Sequence, residues 1–443
     1  MDSFVVIKTV FKDNGDRTIE KLAMLYDDLS RLKELLSELI DKNLPIEKVF
    51  GKKVLLKPNW VLHSKRPNDE LCLRTHDNFL LTALVIILEK KPAKVTIGDA
   101  PIQGCDWDKM RSPDFYKQIN ELSQIYSIPI EIKDFRRKTF NPAKNNPTTQ
   151  RLPLSDYVIF DLGNESFLDP ISRQGKNNFR VTNYNPDRLA ISHTKGKHQY
   201  CITKELFDAD LVISMPKIKT HQKTGMTGAL KNLVGVNGDK DFLPHHRIGG
   251  TGFGGDCYPG KSYMRLWSEL ALDQANRNQG KRIFWFWTKV GSILWKLNKL
   301  QKTYNIAAGW YGNDTTWRMV MDINKIALFG KSDGSLSKEP QRELYSLCDG
   351  IIGGQGDGPL LPEPLPLGII CFANHSGLTD ICMATLMGFY FQKISLLAKV
   401  NESINYNKIK LSLNDHAIKL DKLKEHATST LPSPGWVEYL KSK

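Results

Sequence analysis

Cysteine is scarce and never paired in this sequence. The seven residues, Cys72, Cys105, Cys201, Cys257, Cys348, Cys371 and Cys382, are scattered, odd in number and free of any CxxC spacing. That excludes a disulfide framework, a zinc ribbon and a ferredoxin-type cluster. Long apolar runs are missing as well. No window reaches the ~18 consecutive apolar residues that a membrane-spanning helix needs. The N-terminal "MDSFVVIKTVFKDNG" has no basic region followed by an apolar core, so it reads as a first strand and not as a signal peptide. A reduced, cytoplasmic setting is the expectation. Acidic residues are in deficit, 48 against 62 Lys and Arg, for a formal net charge of +14. An excess of that sign suits an anionic partner. No helix-turn-helix, zinc finger or RNA-binding aromatic motif accompanies it, so nucleic acid is not the partner expected.

What is present is the material of a globular protein: 443 residues, 41% of them apolar, about two to three domain lengths. Short runs rich in β-branched residues, "FVVIKTV", "KKVLLKPNW", "AKVTIGDAP", "IPIEIKDF", "DYVIFDLG" and "DLVISMPK", alternate with helical patterns such as "HDNFLLTALVIILEKK". Strands separated by helices predict an α/β fold of mostly parallel sheets covered by helices, in two lobes with a cleft between them. The C-terminal part repeats this style with "IALFG", "LGIICFANH" and "KISLLAKV" as strand candidates and "GLTDICMATLMGF" as a helix. The expected organisation is an N-terminal α/β domain over 1–237, an insert over 238–320 and a C-terminal α/β part over 321–443 that completes the core. The Lys-rich tail after Asn401 is expected to be peripheral.

Ligands of open α/β sheets sit at the carboxyl ends of the strands. "LLKPNW" ends there in Lys57 and Asn59, "VTIGDAP" in Asp99, and "LVISMPKIKTH" in Lys217, Lys219 and His221. The stretch from Asp210 to Lys240 packs Lys217, Lys219, His221, Lys223 and Lys231 among glycines and threonines. Such crowding calls for a solvated face or an anion. Lysine ammonium groups, the hydroxyls of Thr224 and Thr227, and the amide of Asn232 are suitable anion ligands, and a helix beginning near Thr227 would add free N–H groups. His221 titrates near neutrality, and a lysine among other cations loses its proton easily, so His221 and Lys231, oriented by Asp99, are the candidate acid–base residues.

Downstream, "FLPHHRIGGTGFGGDCYPG" holds His245, His246 and Asp256. Histidine and carboxylate are divalent-metal ligands, and His221 with one of the adjacent histidines and Asp256 makes a candidate metal set. "GTGFGG" matches the dinucleotide spelling, but no apolar strand precedes it. "KRIFWFWTKVGSILWKL", residues 281–297, interleaves tryptophans with basic residues. It suits either a helix packed on the protein's own core or one lying in a membrane interface.

Together "KPNW", "IGDAP", "DADLVISMPKIKTHQKTGMTGALKNLVGVNGDK", "GWYGNDTTWRM" and "CDGIIGGQGDGPLLPEPLPLGIICFANHSGLTD" resemble the family catalogued as domain of unknown function 362, from about Lys53 to Phe389. Residues 208–235 are the most specific part of the likeness. Some relatives carry a ferredoxin-type module; this chain lacks its cysteines, so the single-module type is implied and no iron–sulfur cluster is expected. There is also a faint architectural likeness to the nickel-dependent lactate racemase group, which places Lys and His in a cleft between α/β domains. The resulting expectation is an enzyme acting on a small phosphorylated or carboxylated metabolite, with isomerase-like acid–base chemistry or a metal-assisted step. The alternative expectation is a non-catalytic binder of an anionic polymer or lipid headgroup, with membrane-surface contact near residues 281–297.

Overall fold

A computed structural model describes residues 3–11, 17–141, 148–173, 178–182, 184–300 and 307–441. Its frame is a 12-stranded mixed sheet. In chain order the strands are β1 (Ser3–Thr9), β2 (Lys53–Pro58), β3 (Lys94–Asp99), β4 (Ile130–Asp134), β5 (Leu211–Met215), β6 (Lys217–His221), β7 (Gly225–Thr227), β8 (Glu343–Asp357), β9 (Leu361–Leu365), β10 (Ile369–Ala373), β11 (Ile409–Leu413) and β12 (His416–Ala417). Their spatial order is β12-β11-β1-β10-β8-β5-β2-β3-β4, with β6 and β9 both pairing with β8 and β7 pairing with β6. The run from β8 through β5, β2 and β3 to β4 is parallel, whereas β10 is antiparallel to both β1 and β8. Central strands such as "LVISM" are apolar along their whole length because both faces of the sheet are covered.

One face packs against α1 (Ile19–Asp27), α2 (Leu29–Asn43), α3 (Asp77–Glu89) and α4 (Pro113–Tyr126), around Leu22, Leu36, Leu84 and Phe115. The short helix α5 (Ala229–Asn232) and the long helix α8 (Thr316–Phe329), with α9 (Ser376–Leu386), belong to the opposite core, with Leu230, Ile323 and Ile381. Between α5 and α8 in the chain, α6 (Tyr263–Arg277) and α7 (Arg282–Leu300) form a helical hairpin that adds no strand to the main sheet. None of the helices among the described residues is long and apolar enough to cross a membrane.

Four local expectations are corrected. "DYVIFDLG" is a strand, Tyr157–Asp161, but it belongs to a separate three-stranded sheet. "IALFG" is mostly the last turn of α8, and "KISLLAKV" is mostly helical over Ser395–Asn401; short apolar runs do not distinguish a strand from a buried helix end. The stretch "GGQGDGPLLPEPLPLG" reads as a Gly/Pro turn region, but its first five residues, "GGQGD", are the end of the fifteen-residue strand β8. Its glycines serve close approach: a Cβ on Gly354 would sit 2.7 Å from Lys219 Cβ, and one on Gly353 would sit 2.9 Å from the Ile218 carbonyl. The tail is not merely peripheral either. β11 pairs in parallel with β1, and buried Trp436 donates its indole N–H to the Gln222 carbonyl at 2.6 Å, beside the site described next.

Candidate functional site

At the carboxyl ends of β2, β3 and β6 lies a cavity of about 480 Å³, lined by Asn59, Asp99, Lys219, His221, Thr227, Lys231, Asn232 and His245 among others. Eight of the residues singled out from sequence therefore meet in one place. Lys223 and Lys240 line it too. Neither was selected as a site residue from sequence; the only available signal was their membership of the same basic stretch.

The floor is a buried polar lattice. Lys57 Nζ lies 2.7 Å from Asp99 Oδ1 and donates to the Pro58 carbonyl (2.8 Å) and to Asn232 Oδ1 (3.2 Å). Asp99 accepts the backbone N–H groups of Trp60 (2.7 Å) and Ala100 (2.8 Å). Asn232 Nδ2 donates to the Lys57 carbonyl and Ser214 Oγ, both at 2.9 Å. Asp99 is thus committed to holding Lys57 and its own turn, and Lys57 lies behind the cavity wall. Asn59 Oδ1 and Thr227 Oγ1 are buried at the wall without a hydrogen-bond partner, so they are the polar atoms left for a ligand.

Above this floor stand Lys219, Lys223, Lys231 and Lys240, and among the described residues Asp99 is the one carboxylate lining the cavity. At an effective dielectric constant near 20, two unit charges 4 Å apart repel by about 4 kcal/mol. Burial lowers all four amines, Lys223 and Lys240 to about 8, and Lys219 and Lys231, where repulsion from neighbouring lysines adds to it, to about 7. Lys219 donates to the carbonyls of Leu73 and Pro359, Lys223 to that of Ala307, and Lys240 to that of Ala100. Lys231 has no hydrogen-bond or ion-pair partner among the described residues.

The two cavity histidines are held in opposite tautomers. His221 Nδ1 accepts the Lys223 backbone N–H at 3.0 Å, which leaves the ring proton on Nε2. His245 Nδ1 lies 2.6 Å from the Leu243 carbonyl, to which it can only donate, so its Nε2 carries a lone pair. Burial, then the neighbouring lysines, hold both rings well below the usual imidazole range, hence neutral at pH 7.

Several sequence expectations are corrected here. Lys217 does not reach the cavity. A register irregularity separates it from Lys219, and its ammonium pairs with Asp349 Oδ2 at 2.7 Å. Thr224 Oγ1 is spent on the Met226 carbonyl at 3.0 Å. The helix start offers an anion nothing: α5 begins at Ala229, and the Asp380 carboxylate already accepts the N–H groups of Ala229 (2.6 Å) and Leu230 (3.0 Å). Asp380 thus caps a helix 150 residues away, and burial raises its acid to about 7. The expected metal set is not assembled. His221 and His245 share the cavity, whereas buried Asp256 accepts from Thr315 Oγ1 (2.6 Å), the Asp314 N–H (3.1 Å) and the Arg247 N–H (2.5 Å). Among the described residues, the donors that converge are His246, Cys257 and Glu269, whose ligand atoms lie within 4.8 Å of one another. Burial and the hydrogen bond to Glu269 hold the Cys257 thiol well above its usual range, so it is protonated.

No curated protein matches this chain. The solved structures similar in part include a crystal structure of a protein from Thermotoga maritima (12% identity, TM-score 0.36, 76% of this chain and 53% of that one), and the lactate racemase apoprotein from Thermoanaerobacterium thermosaccharolyticum (13% identity, TM-score 0.32, 83% and 55%). This chain spans about half the length of each. Residues 166–385, which carry β5 to β8, α5 and the lysine and histidine groups of the cavity, match the family described as "Domain of unknown function (DUF362)", and the chain carries a DUF362 domain.

Proposed function

We propose that the protein is an enzyme acting on an anionic small molecule, a phosphate or carboxylate, by proton transfer next to the anionic group. The observation that carries this reading is the convergence of Lys219, Lys223, Lys231 and Lys240 on a cavity whose one carboxylate among the described residues, Asp99, is taken by Lys57. Four ammonium groups without counterions are favourable only with an anion among them. The acid–base groups stand beside them. His221 presents an Nε2–H donor that can polarise a substrate oxygen while remaining neutral; His245 Nε2 is an acceptor, and Lys231, lowered to about 7, is a second one in the state where its proton is off and Lys219, Lys223 and Lys240 alone hold the anion.

The test is a panel of phosphorylated and carboxylated metabolites, screened first for thermal stabilisation and then, in D2O, for deuterium incorporation at carbon. Loss of exchange by roughly 10²- to 10⁴-fold is expected in Lys231→Ala or His245→Gln, the range of a general acid or base. An unaltered exchange rate in both variants would remove them from the chemistry.

A second reading, a binder of anionic lipid headgroups, draws support from the α6–α7 hairpin. Trp285 is 62% exposed, Phe286 58% and Trp267 58%, beside exposed Lys281, Arg282 and Lys289. The stripe does not pack wholly on the protein's own core, and a row of exposed aromatics among basic residues suits an anionic membrane interface. Co-sedimentation with phosphatidylglycerol-containing vesicles is expected, falling sharply in Trp285→Glu and at high salt. Equal recovery with purely zwitterionic vesicles would count against it.

A further inference from the structure

A second cavity of about 390 Å³ adjoins the first. It opens between α6 and α7, and its walls include Tyr258, Leu272, Trp287, Gly291 and Trp295. Thr182 and Ala307 line both cavities, so the two spaces meet there. The first is crowded with lysines. The second takes its apolar walls from Tyr258, Leu272, Trp287 and Trp295, with Arg265, Glu269, Lys296 and Asn298 also lining it, and the helix that closes it carries Arg282, Lys289 and Lys296 but no acidic residue. A small, uniformly charged metabolite would use the first space and leave the second without a role.

We propose that the substrate is an amphiphile, with a phosphate or carboxylate headgroup among Lys219, Lys223, Lys231 and Lys240 and a hydrocarbon tail in the cavity between α6 and α7. This rests on reading the lysine cavity as an anion site and adds the tail. The charge of one space and the apolar walls of the other define the two halves of the molecule. Thr182 and Ala307 mark where head passes to tail. The exposed aromatics on the hairpin's outer surface place the tail cavity beside the part of the fold best suited to meet lipid.

The full chain is titrated with inorganic phosphate and with n-alkyl phosphates of increasing length, kept below their aggregation concentrations, with n-alkyl alcohols and n-alkyl carboxylates as controls. Each buried methylene is expected to raise alkyl phosphate affinity by about fourfold until the second cavity is full. Gly291→Phe is expected to flatten this dependence and leave inorganic phosphate binding unchanged. A Cβ there meets Ala271 Cβ at an ordinary contact distance of 3.8 Å, and Gly291 lines the cavity, so the substitution adds its bulk at that wall. Thr288→Leu, on the same wall, is the second variant and shortens the chain length at which affinity levels off. Comparing phosphate with carboxylate heads identifies the headgroup. If inorganic phosphate binds and alkyl chains add nothing, the amphiphile proposal fails and the anion reading stands. If neither binds, both fail. A chain-length gain that survives both variants, or is matched by the alcohols, places the tail elsewhere and overturns the proposal.

Discussion

Asp349→Ala is expected to destabilise the protein by about 3–5 kcal/mol, the cost of leaving the buried Lys217 ammonium without its counterion. Both side chains of the pair are fully buried. Asp349 also accepts the Tyr26 hydroxyl at 2.5 Å and the His76 N–H at 3.0 Å, and Lys217 donates to Tyr26 Oη (3.0 Å) and the Ile352 carbonyl (3.1 Å). The cluster ties α1 and the start of α3 to β6 and β8, on the side of the sheet away from the lattice around Lys57. Replacing both partners with apolar residues, as in Lys217→Met with Asp349→Leu, is expected to recover much of the loss, because no charge is then stranded. Denaturation midpoints of the two single variants and the double variant measure this. If Asp349→Ala left the midpoint unchanged and weakened phosphate binding instead, Lys217 would belong to the binding site after all.

Lys231→Ala is expected to do the reverse: to leave the unliganded fold as stable or more so, since it removes a desolvated cation with no counterion, and to weaken phosphate or sulfate binding by roughly ten- to a hundredfold, the worth of one charge-assisted hydrogen bond. The pH dependence carries a definite sign. Lys219 and Lys231 titrate near 7 in the fold against 10.5 ordinarily. Between those values the unfolded chain holds more protons than the native one, so the stability of the unliganded protein rises with pH across that window. The contribution is complete above pH 10.5 and lost as pH falls through about 7. A bound anion favours the protonated amines, so binding above pH 7 is accompanied by proton uptake, and the anion-induced rise in melting temperature shrinks as pH increases. Titration calorimetry in buffers of different ionisation enthalpy counts those protons. A count that is the same in the wild type and in Lys231→Ala would exclude Lys231 from the anion site.

The alternation of apolar strands and amphipathic helices is a local property, and it was enough to indicate an α/β sheet with chemistry at the carboxyl ends of its strands. Lys57, Asn59 and Asp99 could be placed there because each directly follows, or ends, a run of buried residues. The lysine-rich stretch after β5 was likewise legible as a charge problem, since like charges packed so closely in sequence need a counterion wherever they fold. Which of those charges face the problem together was decided only by tertiary structure. Lys217 and Lys219 are two residues apart, yet one meets Asp349 from a strand more than a hundred residues downstream and the other reaches the cavity. The N–H groups of α5 appear free in sequence and are consumed by Asp380. The glycines of β8 read as a turn because their purpose, letting β6 lie close, involves a neighbour that sequence does not name. The tautomers of His221 and His245 depend on single backbone contacts at 3.0 and 2.6 Å. Periodicity and composition act along the chain, whereas counterions, caps and proton positions depend on what long-range packing brings within 3 Å.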